Sequence, residues 1–213
     1  MRTRLTVSMC CLFGVIATFA VPLLAADVVA PSAEEHAHHH HTTDAGGTRR
    51  SVLHYQVPDV ELVRDDGRHV SLPAEMNDGR PVVLAFIYTS CTTVCPLTSQ
   101  TLSLVQQKLG DVRDRVHIMS ISIDPEQDTP ARLREYAKTF HAGAQWQHYT
   151  GTLAASQGAQ RAFDVYRGDK MDHAPAVLVR RAPGGEWVRI DGFATAEQVL
   201  AELPDVQELH AAR

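Results

Sequence analysis

Two cysteines, Cys91 and Cys95, stand in the run Thr89-Ser90-Cys91-Thr92-Thr93-Val94-Cys95-Pro96. Three residues separate them, one more than in a Cys-x-x-Cys redox pair. That spacing closes a disulfide or opens far enough to set two sulfurs around one ion. The apolar run ahead of Cys91 ends a buried strand, and the helical pattern after Cys95 begins a helix. A helix start offers unpaired N–H groups and a positive dipole end, both of which favour a thiolate. A thiolate is the nucleophile of disulfide exchange and the ligand form for metal. Two of them select soft ions, above all Cu(I). A static structural disulfide here would close only a tiny loop and contribute little stability.

Two sulfurs alone hold an ion weakly, so a third ligand is expected from elsewhere in the fold. The histidines of the domain are the candidates: His54 and His69 in an entry hairpin, His117 at a strand start, His141 and His148 near element ends, and His173 in a loop before a strand. Met171 lies two residues before His173, and its thioether suits Cu(I), although surface packing explains a loop methionine as well. The acidic stretch Asp124 to Asp128 reads either as a site for a cationic partner or as a solvated loop. Trp146 and Trp187 read as core or rim packing.

The elements that position these residues follow from hydrophobic period and turn chemistry. Val60 to Val63 and His69 to Leu72 flank Asp65-Asp66-Gly67 and form a hairpin. Val82 to Tyr88 is continuously apolar, as a strand covered on both faces requires. Pro96 to Leu109 has helical spacing and stops at Gly110. Val116 to Ile123 is a second buried strand. Thr129-Pro130 opens a helix through Phe140. A short strand spans Trp146 to Tyr149, and a helix runs from Thr152 to about Phe163. Ala176 to Val179 and Trp187 to Ile190 pair across a Pro183-Gly184-Gly185 turn, and Thr195 to Gln198 is a capping box for a last helix. Alternating strands and helices imply an α/β sandwich with a partly parallel sheet, in which sites form beyond the carboxyl ends of strands. Cys91 and Asp124 both fall at such ends.

The 213-residue chain divides into residues 1–26, 27–50 and 51–213. Residues 1–26 begin with Arg2 and Arg4, continue in an uncharged apolar run from Leu5 to Ala26, and end in the small pair Ala25-Ala26. This is an export leader with a cleavage site, or, if retained, an inner-membrane anchor over residues 5–26. Cys10 and Cys11 belong to it. Residues 27–50 are small, polar and rich in histidine, a flexible tether whose His36 and His38 to His41 offer weak divalent-metal binding. Residues 51–213 are the folded domain, with only Cys91 and Cys95 as mature thiols. A periplasmic or other extracytoplasmic location follows, and an oxidising compartment does not leave such a pair idle. The net charge of −5 argues against a nucleic-acid partner.

Three separated segments resemble the Sco (Sco/SenC) family of thioredoxin-like copper proteins: Phe86 to Pro96, Ser120 to Pro130, and Asp172-His173 ahead of a strand. The resemblance runs from Gln56 to Leu203. It implies a thioredoxin-like sandwich with a central mixed sheet, flanking helices and an N-terminal hairpin extension. It implies a copper site, Cu(I) or Cu(II), built from Cys91, Cys95 and His173, with Asp124 nearby but not a ligand. It also implies delivery of copper to cytochrome oxidase or another exported copper protein, or reduction of the thiols there. The chain departs from the family where many members carry Pro-Asp between the cysteines and this one has Thr92-Thr93, which removes a carboxylate. Ala174-Pro175 is closer to thioredoxin itself, and Pro175 is a candidate cis proline.

Three functions are weighed. A copper metallochaperone needs all three ligands. A thiol-disulfide oxidoreductase acting on partner cysteines, served by a thioredoxin-like reductant, needs Cys91 and Cys95 only. A peroxiredoxin-type peroxidase fits poorly, because Thr89 is two residues before Cys91 rather than three and the upstream proline is missing.

Overall fold

The computed structural model of the chain describes residues 42–43 and 47–211. The leader, Cys10, Cys11, His36 and His38 to His41 lie outside the described residues. Among the described residues, no helix is long and apolar enough to cross a membrane.

The strands are β1 (Thr42–Thr43), β2 (Arg49–Leu53), β3 (Glu61–Arg64), β4 (His69–Ser71), β5 (Val82–Ile87), β6 (His117–Ser122), β7 (Trp146–Gly151), β8 (Ala176–Arg180) and β9 (Trp187–Asp191). The helices are α1 (Leu72–Met76), α2 (Val94–Leu109), α3 (Pro130–Thr139), α4 (Leu153–Ala162), α5 (Ala196–Ala201) and α6 (Val206–Ala211). One mixed sheet runs β1-β2-β9-β8-β5-β6-β7-β3-β4. β5, β6 and β7 are parallel, and β8 returns antiparallel to β5.

The continuous apolar run of β5 is explained by its central place. Every residue from Val82 to Ile87 is buried. Successive side chains point to opposite faces. Val82, Leu84 and Phe86 join Phe163 and Trp187 in one core, and Val83 and Ala85 join Leu102, Val105 and Val199 in the other. Trp146 and Trp187 are both core residues, as expected.

Topology brings the chemistry-bearing segments to one end of the sheet. Parallel pairing sets Ile87 opposite Ser122, so the chains leaving β5 and β6 emerge side by side. Those chains carry Cys91 and Asp124. Antiparallel pairing sets Ala85 opposite Val177, so the loop entering β8 arrives at the same end. That loop carries His173.

Differences from the sequence expectation are local. The tether expected to reach residue 50 gives way earlier to β2, whose Arg49 and Arg50 pair with Asp191 and Ile190 of β9. Two ion pairs favour this: Arg49 Nη2 lies 3.0 Å from Asp191 Oδ2, and Arg50 Nε lies 2.6 Å from Glu202 Oε1. Leu72, expected to end a strand, instead opens α1, because Ser71 caps it by accepting from the Ala74 N–H and Pro73 suits a first turn. Among the described residues no peptide bond is cis, so Pro175 is trans. Its carbonyl accepts from Gly192 N–H at 2.9 Å, which fixes the loop where β8 begins.

Candidate metal centre

Cys91 lies in the turn after β5, closed by its N–H donating to the Tyr88 carbonyl at 3.2 Å. Cys95 lies in the first turn of α2. The N-cap residue Thr93 makes no side-chain capping bond. The Cys91 sulfur takes that place, accepting the Cys95 N–H at 3.4 Å. The two thiols are not linked by a disulfide. Both are buried, Cys91 at 8% exposure and Cys95 at 1%.

Their acidities diverge for physical reasons. Burial raises the Cys91 thiol, but the N–H groups of Cys95 and Thr93, and the side chains of Cys95 and Tyr88, outweigh it and bring the pKa down to about 7. Burial pushes the Cys95 thiol up, and the neighbouring Cys91 adds to the rise while the Tyr88 backbone opposes it. Near neutral pH, Cys91 is the ready thiolate and Cys95 holds its proton. Tyr88 pays the counterpart: burial first, then the sulfurs, raises its hydroxyl to about 12, so it remains a donor.

The cysteine turn is pinned from below by Asp128, which is fully buried. Its carboxylate accepts from Thr89 N–H at 3.1 Å, Thr89 Oγ1 at 2.5 Å and Ser122 Oγ at 2.6 Å. These bonds tie the chain after β5 to the chain after β6. Asp124, at the other end of the same turn, lies 2.6 Å from the Lys170 ammonium. Asp124 and Asp128 are therefore buried and partnered, while Glu126 and Gln127 between them are exposed.

The loop before β8 is held at three points. Lys170 meets Asp124, the Tyr88 hydroxyl donates to Met171 Sδ at 3.8 Å, and His173 Nε2 lies 3.0 Å from the Phe86 carbonyl. A carbonyl only accepts, so Nε2 carries the hydrogen and Nδ1 the lone pair. Burial lowers the His173 pKa, although the Phe86 contact opposes this. The ring is neutral at pH 7 and needs no deprotonation to bind metal. His173 also lines a cleft of about 440 Å³ with Asp124, Tyr166, Arg167 and Lys170.

Cys91 and Cys95 are brought together, and His173 is brought to the same end of the sheet. The three are not closed into a metal cage: among the described residues no group of three His, Cys, Asp or Glu side chains is placed to hold an ion. The donor types nevertheless suit a soft cation, with two free sulfurs and one neutral imidazole. The other histidines fall away from the thiols' bonding network. His54 pairs with Glu186 and His69 with Glu61. His117 bonds Tyr149, and His148 is fully buried beside Trp146.

Tyr88, Asp128 and Lys170 escaped the sequence reading. Tyr88 passed as the last residue of an apolar strand, and Asp128 as one acid among several. The signal available was the pair Thr89 and Asp128 at the ends of two adjacent strands, which becomes informative only once β5 and β6 are known to be neighbours.

A family model described as SCO1/SenC matches residues 54–207. The SCO1 protein homolog of Bacillus subtilis (strain 168) is 34% identical over 100 residues, covering 46% of this chain and 51% of that protein. Protein SCO1 homolog 1, mitochondrial, of Arabidopsis thaliana is 33% identical over 107 residues, covering 49% of this chain and 30% of that protein. The chain thus spans about half the length, or less, of these curated relatives. The structure of Bradyrhizobium japonicum ScoI with copper bound matches with a TM-score of 0.57 at 25% identity, over 72% of this chain and 96% of that one. The structure of BsSco, described as a member of the Sco family of cytochrome c oxidase assembly proteins with a disulfide switch, matches with a TM-score of 0.59 at 25% identity, over 76% of this chain and 95% of that one.

Proposed function

This chain belongs to the SCO1/SenC family, and we propose that it is an exported copper carrier whose ligands are Cys91, Cys95 and His173. It works in the periplasm or another extracytoplasmic compartment, with residues 1–26 as its leader or anchor. Its cargo goes to a copper-accepting oxidase subunit or another exported copper protein. The observation that carries this reading is the pair of unlinked thiols at the β5–α2 junction, one of them lowered to a pKa of about 7.

Cargo capture begins at Cys91, the less buried thiol and the one half ionised near pH 7. Cys95 follows, losing its proton as it binds, since ligation demands the thiolate. Ligation by His173 would use Nδ1, while the Nε2–H bond to the Phe86 carbonyl keeps the ring in the ligating tautomer. Two further side-chain contacts restrain its loop, neither of them covalent, so closure of the loop over the sulfurs competes with exchangeable bonds. The copper site is then trigonal, a geometry that suits Cu(I).

Titration of the reduced mature chain with copper tests this, with His173→Ala beside the wild type. One copper per chain, with sulfur-to-copper charge-transfer absorption and a large loss of affinity in the variant, supports the ligand set. Unchanged affinity in the variant removes His173 from it.

The acidity split favours a second reading: a dithiol that reduces partner disulfides. Cys91 would attack as a thiolate, and Cys95, protonated until called on, would resolve the mixed disulfide. Fast exchange with a disulfide peptide, retained in His173→Ala and coupled to weak copper binding, would favour this reading over the carrier.

A further inference from the structure

We infer that Met171 is a gateway ligand, an exposed thioether that takes Cu(I) first and passes it inward to Cys91; this rests on the copper-carrier reading. Among the exposed large apolar side chains of the described residues, Met171 is the most open, ahead of Leu97 at 55% and Phe193 at 54%. Met171 is 72% exposed, so packing does not account for it. It sits in the short turn Lys170–Asp172, and Asp169 fixes that turn by accepting the Met171 N–H at 2.9 Å.

Its sulfur accepts from the Tyr88 hydroxyl at 3.8 Å. The same hydroxyl reaches the Cys91 sulfur. The phenol of Tyr88 is therefore a neighbour shared by the thioether and the outer thiol. Exposure falls along the series: Met171 72%, Cys91 8%, Cys95 1%. Soft donors of rising affinity thus run from solvent inward, thioether before thiolate. Lys170 fixes the start of the turn by its contact with Asp124 at 2.6 Å, so the sulfur is presented from an anchored segment.

A thioether is a fitting first ligand. It needs no deprotonation, it selects Cu(I) over harder ions, and alone it binds weakly enough to release. The transfer is a ligand exchange without electron transfer. A copper–thioether bond breaks as a copper–thiolate bond forms, and any proton remaining on Cys91 goes to water. Run backwards, the same exchange presents Cu(I) to an acceptor's ligands.

The test is stopped-flow uptake of Cu(I), supplied as its bicinchoninate complex, by the reduced mature chain, wild type against Met171→Leu. Leucine keeps the bulk and removes the sulfur. The expected result is uptake slowed roughly tenfold, the effect of one lost ligand on the transfer barrier, with equilibrium affinity unchanged. A second readout uses methyl-labelled methionine in Cys91→Ser: substoichiometric Cu(I) shifts the Met171 methyl resonance and leaves those of the fully buried Met76 and Met119 in place. Wild-type uptake rates in Met171→Leu, or an unmoved Met171 resonance, overturn the gateway role. If the wild type itself takes up no copper, the carrier reading fails, and the gateway role with it.

Discussion

The imidazole of His173 is bonded through Nε2 to the backbone carbonyl of Phe86, at 3.0 Å, which leaves Nδ1 with its lone pair free. Phe86 is on β5, five residues before Cys91, so the ring rests against the strand that delivers the thiols. The bond thus orients the ring for its proposed task rather than blocking it. A net hydrogen bond of this kind contributes about 1 kcal/mol, and it holds the tautomer in place.

Cys91 should therefore titrate apart from Cys95. Alkylation with iodoacetamide should accelerate as pH rises through about 7, the value set by the N–H groups of Cys95 and Thr93 and by Tyr88 against the cost of burial. Cys95 should stay unreactive over that range. Tyr88→Phe removes one donor to the sulfur and should move the midpoint upward. Mass spectrometry of the labelled chain against pH assigns each thiol.

Copper affinity should fall on acidification. Cys91 is deprotonated above about 7, so below that pH copper must displace a proton from both sulfurs. His173 contributes no loss until more acid pH, because burial lowers its pKa. Competition titrations at pH 8, 7 and 6, on the reduced chain, check the order of these losses.

Asp128→Ala should destabilise the fold and loosen the cysteine turn together. The substitution strands the buried Ser122 hydroxyl and the Thr89 N–H, each orphaned donor costing about 1–3 kcal/mol. Urea denaturation should show a loss of that size or greater. Asp128→Asn, which keeps an acceptor, should lose less. Removing the exposed Lys138–Glu135 pair should leave the urea midpoint essentially unchanged.

His148 should make the fold acid-sensitive. Burial lowers its pKa from 6.5 to about 3, and Asp65 faces it only at 4.0 Å. The unfolded chain binds a proton there at a pH where the folded chain does not. Stability is therefore complete above about pH 6.5 and declines as pH falls toward 3, by at most about 1.4 kcal/mol per pH unit from this group. His117, also lowered by burial, acts in the same direction. In His148→Leu the slope of stability against pH should flatten over this interval, whatever the absolute change.

Much of this molecule was legible before its coordinates. The apolar run Val82 to Tyr88 announced a strand covered on both faces, and the caps Thr129-Pro130 and Thr195 to Gln198 announced two helices correctly, because those signals are local. β2 was hidden because Arg49 and Arg50 lack an apolar pattern; they are held by Asp191 and Glu202, which are distant in sequence. The thiol pair was plain from spacing. What sequence could not supply was the state of the surroundings: Asp128 buried and bonded to Thr89, Tyr88 bonded to the Met171 sulfur, and His173 bonded to Phe86. Each depends on which strands are neighbours, and no periodicity in the chain encodes that.

The most direct test of the central claim is copper K-edge X-ray absorption on the reduced mature chain loaded with one equivalent of Cu(I). The account predicts two sulfur scatterers and one imidazole, with the imidazole lost in His173→Ala and stable loading lost in Cys91→Ser. A chain that loads no copper, or whose copper keeps the same coordination in both variants, contradicts it.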